Sequence, residues 1–172
     1  MTTRNLFKAL AITSALGLAL AGCGSSSNDS KDKTGSSADK PELIKAGTLT
    51  VCSDVPYPPF EDFDKTSSSG FKGFDVDVIS AIAKDLGLKL AIKDSSFNAL
   101  KSGLAIKSNQ CDLIASAMTI TPERQKVMDF SDSYYDSKQS LLVPTGSDIK
   151  GIADLAGKKV GVQSGTTGET YT

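Results

Sequence analysis

The 172-residue sequence contains no histidine. This absence excludes histidine general acid/base catalysis, Ser-His and Cys-His nucleophile activation, and the common histidine zinc sites. The sequence also lacks an excess of charge of either sign, because it has 19 Lys and Arg and 20 Asp and Glu. Without a basic block the chain lacks the field that nucleic-acid binding usually needs. We therefore expect no nucleic-acid partner, no metal site, no cofactor and no catalytic residue.

The N-terminus has an apolar run that is too short to span a bilayer comfortably. Arg4 and Lys8 precede the uncharged residues 9–21, an arrangement typical of a secretory signal peptide. The run reaches Leu20-Ala21-Gly22-Cys23, which resembles the lipobox of bacterial lipoproteins. That resemblance implies a signal peptide over 1–22 and lipidation of Cys23. The alternative is a soluble secreted protein in which Cys23 is incidental.

Residues 24–40 consist largely of Ser, Gly, Asp and Lys and contain almost no apolar side chain. Such a segment cannot bury enough apolar surface to offset the conformational entropy that it would lose on folding. We therefore interpret residues 23–46 as the lipidated cysteine and a flexible tether between membrane and domain.

From residue 48 the hydrophobic pattern predicts alternating strands and helices. Strands are expected at 48–52, 89–93 and 112–118. A helix ending at Gly87 would bury one face, and a second, short helix would carry Leu100 and Leu104. Thr121 followed by Pro122 is typical of an N-cap and first helical position. This alternation indicates an α/β fold with a parallel sheet. The residues of the first helical face are Val78, Ile79, Ile82, Ala83 and Leu86.

The pattern from residue 139 onward predicts fewer elements of secondary structure than the part before it. An extended apolar run covers 139–143, a short helix 148–155 ends at Gly157, and a strand 159–163 leads into a loop that begins another helix. One strand and one helix cannot bury a second core. We therefore expect that the C-terminal part of the protein is missing from this sequence.

Three segments are expected to meet beyond the carboxyl ends of the strands, where open α/β sheets bind ligands. They are residues 54–60, 116–124 and 164–167. Arg124, in the first turn of its helix, offers a planar fork for a carboxylate, and the helix N-terminus adds partial positive charge. The three segments together suit a small dipolar ligand.

Several motifs in this order resemble the periplasmic amino-acid-binding proteins, the bacterial extracellular solute-binding family that includes histidine- and glutamine-binding proteins. The similarity runs from about Gly47 to the end. The motifs are Tyr57-Pro58-Pro59-Phe60-Glu61, Gly73-Phe74-Asp75-Val76-Asp77, residues 116–124 (SAMTITPER), Asp129-Phe130-Ser131, Tyr134-Tyr135 and Gly165-Thr166-Thr167.

The resemblance implies a periplasmic-binding-protein-like, two-lobed clamshell that closes on a free amino acid. Its first lobe would be largely present over 47–137, its crossover would be 138–143, and its second lobe would begin at 144–172 and be incomplete. The acidic partner of the ligand ammonium group is expected in that second lobe, beyond residue 172.

The resemblance also implies roles for single residues. Arg124 would bind the α-carboxylate, aided by the Thr119 backbone and by Thr167. Ser116 and Ala117 would contact the α-ammonium group, although Ala117 replaces a serine of some members and lacks its hydroxyl. The side-chain pocket would be walled by Tyr57, Phe60 and Phe97, with Asp54 at its edge.

Simpler interpretations compete with these roles. Arg124 can instead pair with Glu123 or Asp129 on the surface, and Tyr57 and Phe60 can be core aromatics. The serine and threonines can be helix caps. The glycine-containing loop near residue 165 lacks the spacing and the lysine of a phosphate-binding loop.

Cys52 and Cys111 remain once Cys23 is assigned to lipid. An exported protein permits a disulfide between them. If each lies in a parallel strand, however, they fall at opposite edges of the sheet, beyond bridging distance. The sequence leaves the pairing open.

The function expected from the resemblance is capture of an amino acid by an exported, lipid-anchored substrate-binding protein. It would act as a monomer on the extracellular face of the membrane, deliver its ligand to the permease of an ABC importer, and catalyse no reaction. The alternatives are a clamshell enzyme such as a prephenate- or arogenate-type dehydratase, with Asp54 and Glu61 as its carboxylates, and the sensor domain of a receptor.

Replacement of the proposed lipid acceptor tests the N-terminal interpretation. Because the thiol accepts the lipid, Cys23→Ala should leave an uncleaved or a released protein, detected by mass and by membrane fractionation. Globomycin treatment of the wild type should likewise block cleavage. Normal processing of the variant at this site would contradict the assignment.

Overall fold

A computed structural model describes residues 41–172, so the predicted signal peptide, the predicted lipidation site Cys23 and nearly all of the predicted tether lie outside the described residues. The described part contains short helices and strands in alternation. In chain order the strands are β1 (Thr48–Ser53), β2 (Asp62–Phe63), β3 (Phe71–Lys72), β4 (Lys89–Asp94) and β5 (Leu113–Ile114). The helices are α1 (Phe74–Asp85), α2 (Phe97–Lys101), α3 (Leu104–Lys107), α4 (Pro122–Gln125) and α5 (Thr167–Thr170).

A parallel sheet of order β4-β1-β5 forms the centre of the fold. Val51 of β1 lies opposite Ile92 on one side and Leu113 on the other. All six residues of β1 are buried. A strand buried on both faces is typical of parallel sheets covered by helices, so the predicted α/β class is confirmed.

Successive side chains of β1 enter two separate cores, because a strand presents alternate residues to opposite faces. Leu49 and Val51 pack with Ile79 and Ala83 of α1. On the other face, the core is formed by Cys52, Leu100, Ala105 and Cys111. Helices therefore cover both faces of the sheet.

Helix α1 is rotated relative to the predicted face. Val76, Ile79 and Ala83 are buried, whereas Ile82 and Leu86 are 42% and 49% exposed. The start of α1 explains the rotation, since the amides of Phe74 and Asp75 donate to the carbonyls of Pro59 and Phe60 at 3.0 Å. A Cβ at Gly73 would collide with the Phe60 carbonyl, so this approach needs glycine.

Two predicted elements are shorter than expected. The strand predicted at 112–118 is limited to β5, because Ala117 has φ 42° and its amide donates to Asp75 instead of to a ladder. The helix predicted to carry both Leu100 and Leu104 is divided into α2 and α3 by Gly103 at φ 70°. Leu100 is fully buried and Leu104 is 55% exposed.

The segment after residue 137 contains less regular structure than predicted. Residues 148–155 form only a 3₁₀ turn at Ile152–Leu155, followed by Gly157 at φ 72°. The strand predicted at 159–163 is not formed, because no described residue pairs with it. The apolar run 139–143 joins no ladder, and Leu142 is fully exposed. Helix α5 does follow the loop, as expected, with Thr166 as its N-cap.

The hairpin of β2 and β3 was not predicted from the pattern. Each strand has two residues, and Asp62 pairs with Lys72. Two-residue strands are too short for a period of two to be recognised. The hairpin joins the proline-containing loop before it to α1 after it.

Cys52 and Cys111 form a disulfide with 5.7 Å between their Cα atoms. The argument that placed them at opposite edges of the sheet is wrong, because Cys111 lies in the turn between α3 and β5 rather than in a strand. Both cysteines are buried in the second core. Within residues 41–172, no helix combines the length and the apolar character that crossing a bilayer requires.

Removing this crosslink should lower the free energy of unfolding. The bridge closes a segment of 59 residues, and constraint of the unfolded chain by such a loop stabilises proteins by about 2–4 kcal/mol. Urea unfolding of the oxidised and the reduced wild-type protein compares the chain with and without the disulfide, and no residue has to be substituted. Equal midpoints and slopes would show that the disulfide contributes nothing.

Candidate functional site

A cavity of about 480 Å³ opens beyond the carboxyl ends of β1 and β5. The end of β1 contributes Asp54, and the chain after β5 contributes the segment from Ser116 to Thr119. The loop before α5 forms another part of the wall. The structure thus brings together all of the residues predicted to contact ligand: Asp54, Tyr57, Phe60, Phe97, Ser116, Ala117, Thr119, Arg124 and Thr167.

Arg124 is the cation of this cavity, and only 7% of it is exposed. Helix α4 places it there because the Thr121 hydroxyl accepts from the Arg124 amide at 3.3 Å, with Pro122 at the first helical position. Its Nη1 donates to the Thr119 carbonyl at 2.7 Å, and its Cζ lies 5.2 Å from the centre of the Phe97 ring.

The guanidinium of Arg124 donates to carbonyl oxygens, so pairing with Glu123 or Asp129 is not seen among the described residues. Burial lowers the pKa of Arg124. A guanidinium has five N–H donors, and two of the side chain's donor atoms have protein partners here. Donors therefore remain for an anionic ligand.

Three contacts join the walls of the cavity from distant parts of the chain. Arg124 Nη2 donates to the Gly165 carbonyl at 3.1 Å. The hydroxyls of Thr119 and Thr167 are 3.3 Å apart. Gln163 Nε2 donates to Asp54 Oδ2 at 2.5 Å. Residues before 137 and after 144 thus share one polar site.

The floor of the cavity at Ser116 and Ala117 is hydrogen-bonded to two acids. The Ser116 hydroxyl donates to Glu61 Oε1 at 2.6 Å and accepts from the Asp54 amide at 3.1 Å. The Ala117 amide donates to Asp75 Oδ2 at 2.6 Å. Glu61 and Asp75 are 0% and 2% exposed, and Glu61 Oε2 and Asp75 Oδ1 have no partner among the described residues.

Burial perturbs the ionisation of this floor. Burial, as the largest cause, and the charges of Asp75 and Asp54 together raise the pKa of Glu61 to about 7, against hydrogen bonds from Ser116 and Ser53. Burial also raises the pKa of Asp75. Tyr134 donates to Asp75 at 2.9 Å, and burial together with that carboxylate raises its pKa. Shifts of this kind are common at functional sites.

An aromatic wall closes one side of the cavity. Tyr57 stacks on Phe60 with ring centres 5.4 Å apart, and Tyr135 meets Phe60 edge-on at 5.0 Å. Tyr57 is 48% exposed whereas Phe60 is buried at 7%, so Phe60 lines the cavity and belongs to the packed interior as well. Such rings give a ligand apolar surface with a defined shape.

Several residues of the site do not follow from the sequence pattern. The pattern places Gln163 at the end of a strand and favours a structural role for Asp75. Asp75 lies in a helix whose amphipathic pattern gives no sign that this carboxylate is buried and bonded to the cavity floor. Gln163, which precedes a glycine-containing loop, could have been found from that position. The lining residues outside the predicted set include Gln139, Gln163, Phe130, Asp132, Tyr134, Tyr135 and Asp136.

Comparison with known proteins gives consistent matches. The profile of the bacterial extracellular solute-binding proteins, family 3, matches residues 49–167. The arginine-binding extracellular protein ArtP of Bacillus subtilis is 39% identical over 160 residues, which are 93% of this chain and 56% of that protein. A probable histidine-binding protein of Neisseria gonorrhoeae is 37% identical over 157 residues, 88% of this chain and 53% of that protein.

A solved structure supports the fold. An ancestral arginine-binding protein bound to arginine matches with a TM-score of 0.67 and 43% identity, over 73% of this chain and 54% of that chain. The chain spans just over half the length of the Bacillus and Neisseria relatives. With a profile match across most of its length and relatives well above 30% identity, the chain belongs to the bacterial extracellular solute-binding proteins, family 3.

Proposed function

We propose that this protein is the substrate-binding component of an ABC importer and that it binds a free amino acid in the cavity around Arg124. The observation that carries the proposal is the buried guanidinium, whose hydrogen-bond partners within residues 41–172 are carbonyl oxygens and which faces a cavity of ligand size. A buried cation is costly unless a counter-charge reaches it. The α-carboxylate of an amino acid supplies that charge.

Arg124 grips the carboxylate of the ligand through the N–H groups that the carbonyls of Thr119 and Gly165 leave free. The hydroxyls of Thr119 and Thr167 lie beside it and add donors. At the floor, the remaining lone pair of the Ser116 hydroxyl and the nearby carbonyls accept from the ammonium group. Contacts at both ends of one small molecule favour a zwitterion over a simple anion.

The charge of the lining favours a ligand with a cationic side chain. Asp54, Asp132 and Asp136 are carboxylates of the cavity wall, and Arg124 is its cation. Once Arg124 is neutralised by the ligand carboxylate, the remaining wall is acidic. The arginine and histidine named for the relatives are consistent with this, and Tyr57, Phe60 and Phe97 supply flat surfaces for such a side chain.

Capture and delivery follow from the two parts of the wall. We interpret 47–137 as lobe 1, 138–143 as the crossover and 144–172 as the start of lobe 2 of a clamshell. The contacts of Arg124 with Gly165 and of Asp54 with Gln163 join these two parts. Ligand between them stabilises the closed arrangement, which the permease then receives.

The location proposed for the protein is the extracellular side of the membrane. Cys23 carries the lipid and residues 23–46 form the tether, so the domain works as a tethered monomer. A tether raises the effective concentration of the domain near its permease. Stable anchoring needs more than one acyl chain, because a single chain binds membranes only marginally.

Enzymatic dehydration is the less favoured function. A catalytic acid must reach the reacting atoms of its substrate. Glu61 has a pKa suited to such a role, but its side chain is fully buried and one of its oxygens is taken by Ser116. The Bacillus and Neisseria relatives are named as binding proteins. These observations favour binding without chemistry.

Loss of the guanidinium should weaken ligand binding strongly. Arg124→Ala leaves the ligand carboxylate buried and unpaired, which costs roughly 2–5 kcal/mol and hence at least tenfold in affinity. Titration calorimetry of the full-length protein measures the affinity. The control is Glu123→Gln, which changes an exposed residue next to Arg124. Unchanged affinity of Arg124→Ala would rule out the assigned role.

The ligand class can be read from thermal stability. A ligand that binds only the native state raises the melting temperature, so a scan of the proteinogenic amino acids against the full-length protein should give the largest increases with arginine, lysine or histidine. Asp54→Asn should reduce the rise in melting temperature caused by arginine, lysine or histidine more than it reduces any rise caused by a neutral amino acid. A largest increase with an acidic amino acid would contradict the charge argument.

A further inference from the structure

Two buried carboxylates, Glu61 and Asp75, lie beneath the cavity floor in positions that the proposed ligand contacts do not use. Each has one oxygen bonded to the floor and one oxygen without a partner among residues 41–172. Buried polar atoms usually have partners, so two unpartnered acid oxygens in one cluster need an explanation. A pair of neighbouring acids that shares a proton avoids placing two like charges together.

Glu61 fixes the direction of the Ser116 hydroxyl. A hydroxyl has one proton and two lone pairs. At Ser116 the proton goes to Glu61 at 2.6 Å and one lone pair accepts from the Asp54 amide at 3.1 Å. The lone pair that remains can only accept, and Ser116 lines the cavity. Glu61 therefore makes this hydroxyl an acceptor for a ligand donor such as an ammonium group.

Asp75 fixes the peptide between Ser116 and Ala117. The Ala117 amide points to Asp75 at 2.6 Å, and Ala117 holds the left-handed conformation at φ 42°. Because a trans peptide directs its C=O opposite to its N–H, the Ser116 carbonyl points away from Asp75. Tyr134 donates to the same carboxylate oxygen at 2.9 Å and secures it. Both acids thus orient acceptors of the floor.

The surroundings of Glu61 are acidic on several sides. Burial, the largest cause, and the neighbouring carboxylates Asp75 and Asp54 together raise the pKa of Glu61 to about 7. Hydrogen bonds from Ser116 and Ser53 oppose this rise, and the hydroxyl of Tyr134 faces Asp75. Arg124 is not among the causes, so no cation of the described chain compensates this cluster.

We propose that Glu61 and Asp75 are positioning residues for the ammonium group of the ligand and that Glu61 releases its proton when that group binds. The inference rests on the proposed binding of an amino acid. The ammonium group brings a positive charge to the floor above the buried side chains of Glu61 and Asp75, where charges interact more strongly than in water. The carboxylic acid becomes a carboxylate that faces this charge through Ser116, and the proton passes to the buffer.

Calorimetry in buffers with different ionisation enthalpies tests the proton release directly. L-Arginine is titrated into the full-length wild-type protein near pH 7, and the dependence of the observed heat on buffer gives the number of protons released. With a group of pKa about 7, roughly half a proton should leave. Release on binding means that affinity increases with pH, severalfold between about pH 6 and about pH 8.

Two comparisons separate this role from a merely structural one. Glu61→Gln keeps an oxygen that accepts from Ser116 but cannot titrate, so arginine should still bind, without proton release and without the pH dependence. The analogue 5-guanidinopentanoate lacks the ammonium group and should bind the wild type without proton release. The control variant is Asp77→Asn, which changes an exposed residue on the same helix as Asp75. It should release as many protons on binding arginine as the wild type does.

Each result decides between the two proposals. Arginine binding to the wild type without proton release, or equal release with the analogue, would overturn the role of Glu61 and leave amino-acid binding intact. Failure of every proteinogenic amino acid to bind would instead overturn the proposed function. If Glu61→Gln does not fold, the two wild-type titrations still decide the question, because they need no variant.

Discussion

The site depends on a buried positive charge that the described protein does not neutralise. Arg124 is held by the cap at Thr121, by two carbonyl oxygens and by the Phe97 ring, which fix its direction but carry no full negative charge. Dipoles and a ring face offset only part of the cost of removing a guanidinium from water. In the proposed function, the remaining cost becomes binding energy when an anion arrives, and the pocket would be complementary to its ligand because it is electrostatically incomplete.

The parallel sheet explains why a second, opposite charge centre lies in the same cavity. The carboxyl ends of β1 and β5 meet at one edge, so Asp54 and Ser116 become neighbours although 62 residues separate them. The start of α1, held against the carbonyls of Pro59 and Phe60, brings Asp75 under the same edge. Burial alone shifts the pKa of Arg124, and Arg124 is not among the causes of the Glu61 shift. The cationic and acidic centres are thus separate, an arrangement that would suit the two ends of the zwitterion proposed as ligand.

The sequence predicted the parts of this arrangement that depend on local chemistry. The cap at Thr121 and Pro122 could be recognised from the local sequence alone. The loop containing Tyr57 and Phe60 could be recognised in the same way, because its prolines cannot donate hydrogen bonds to a β-sheet. The fold class followed from the alternation of strand and helix patterns. Strand length at β5 and the rotation of α1 were not predictable, since each depends on a contact with a distant part of the chain. The burial of Asp75 was not predicted, because an acid in a first helical turn is ordinarily a solvated residue that favours the helix dipole.

If the protein binds an amino acid as proposed, its selectivity would come from the acids rather than from the arginine. A guanidinium alone accepts any small anion that fits, including phosphate and dicarboxylates. An anion without a positive group would place its far end against the floor above Glu61 and Asp75, where burial already disfavours negative charge. Rejection of one class of ligand by repulsion is as effective as attraction of another. In the proposed function, Arg124 would supply affinity for a carboxylate, and the acidic floor would restrict the carboxylates that bind to those that also carry an ammonium group.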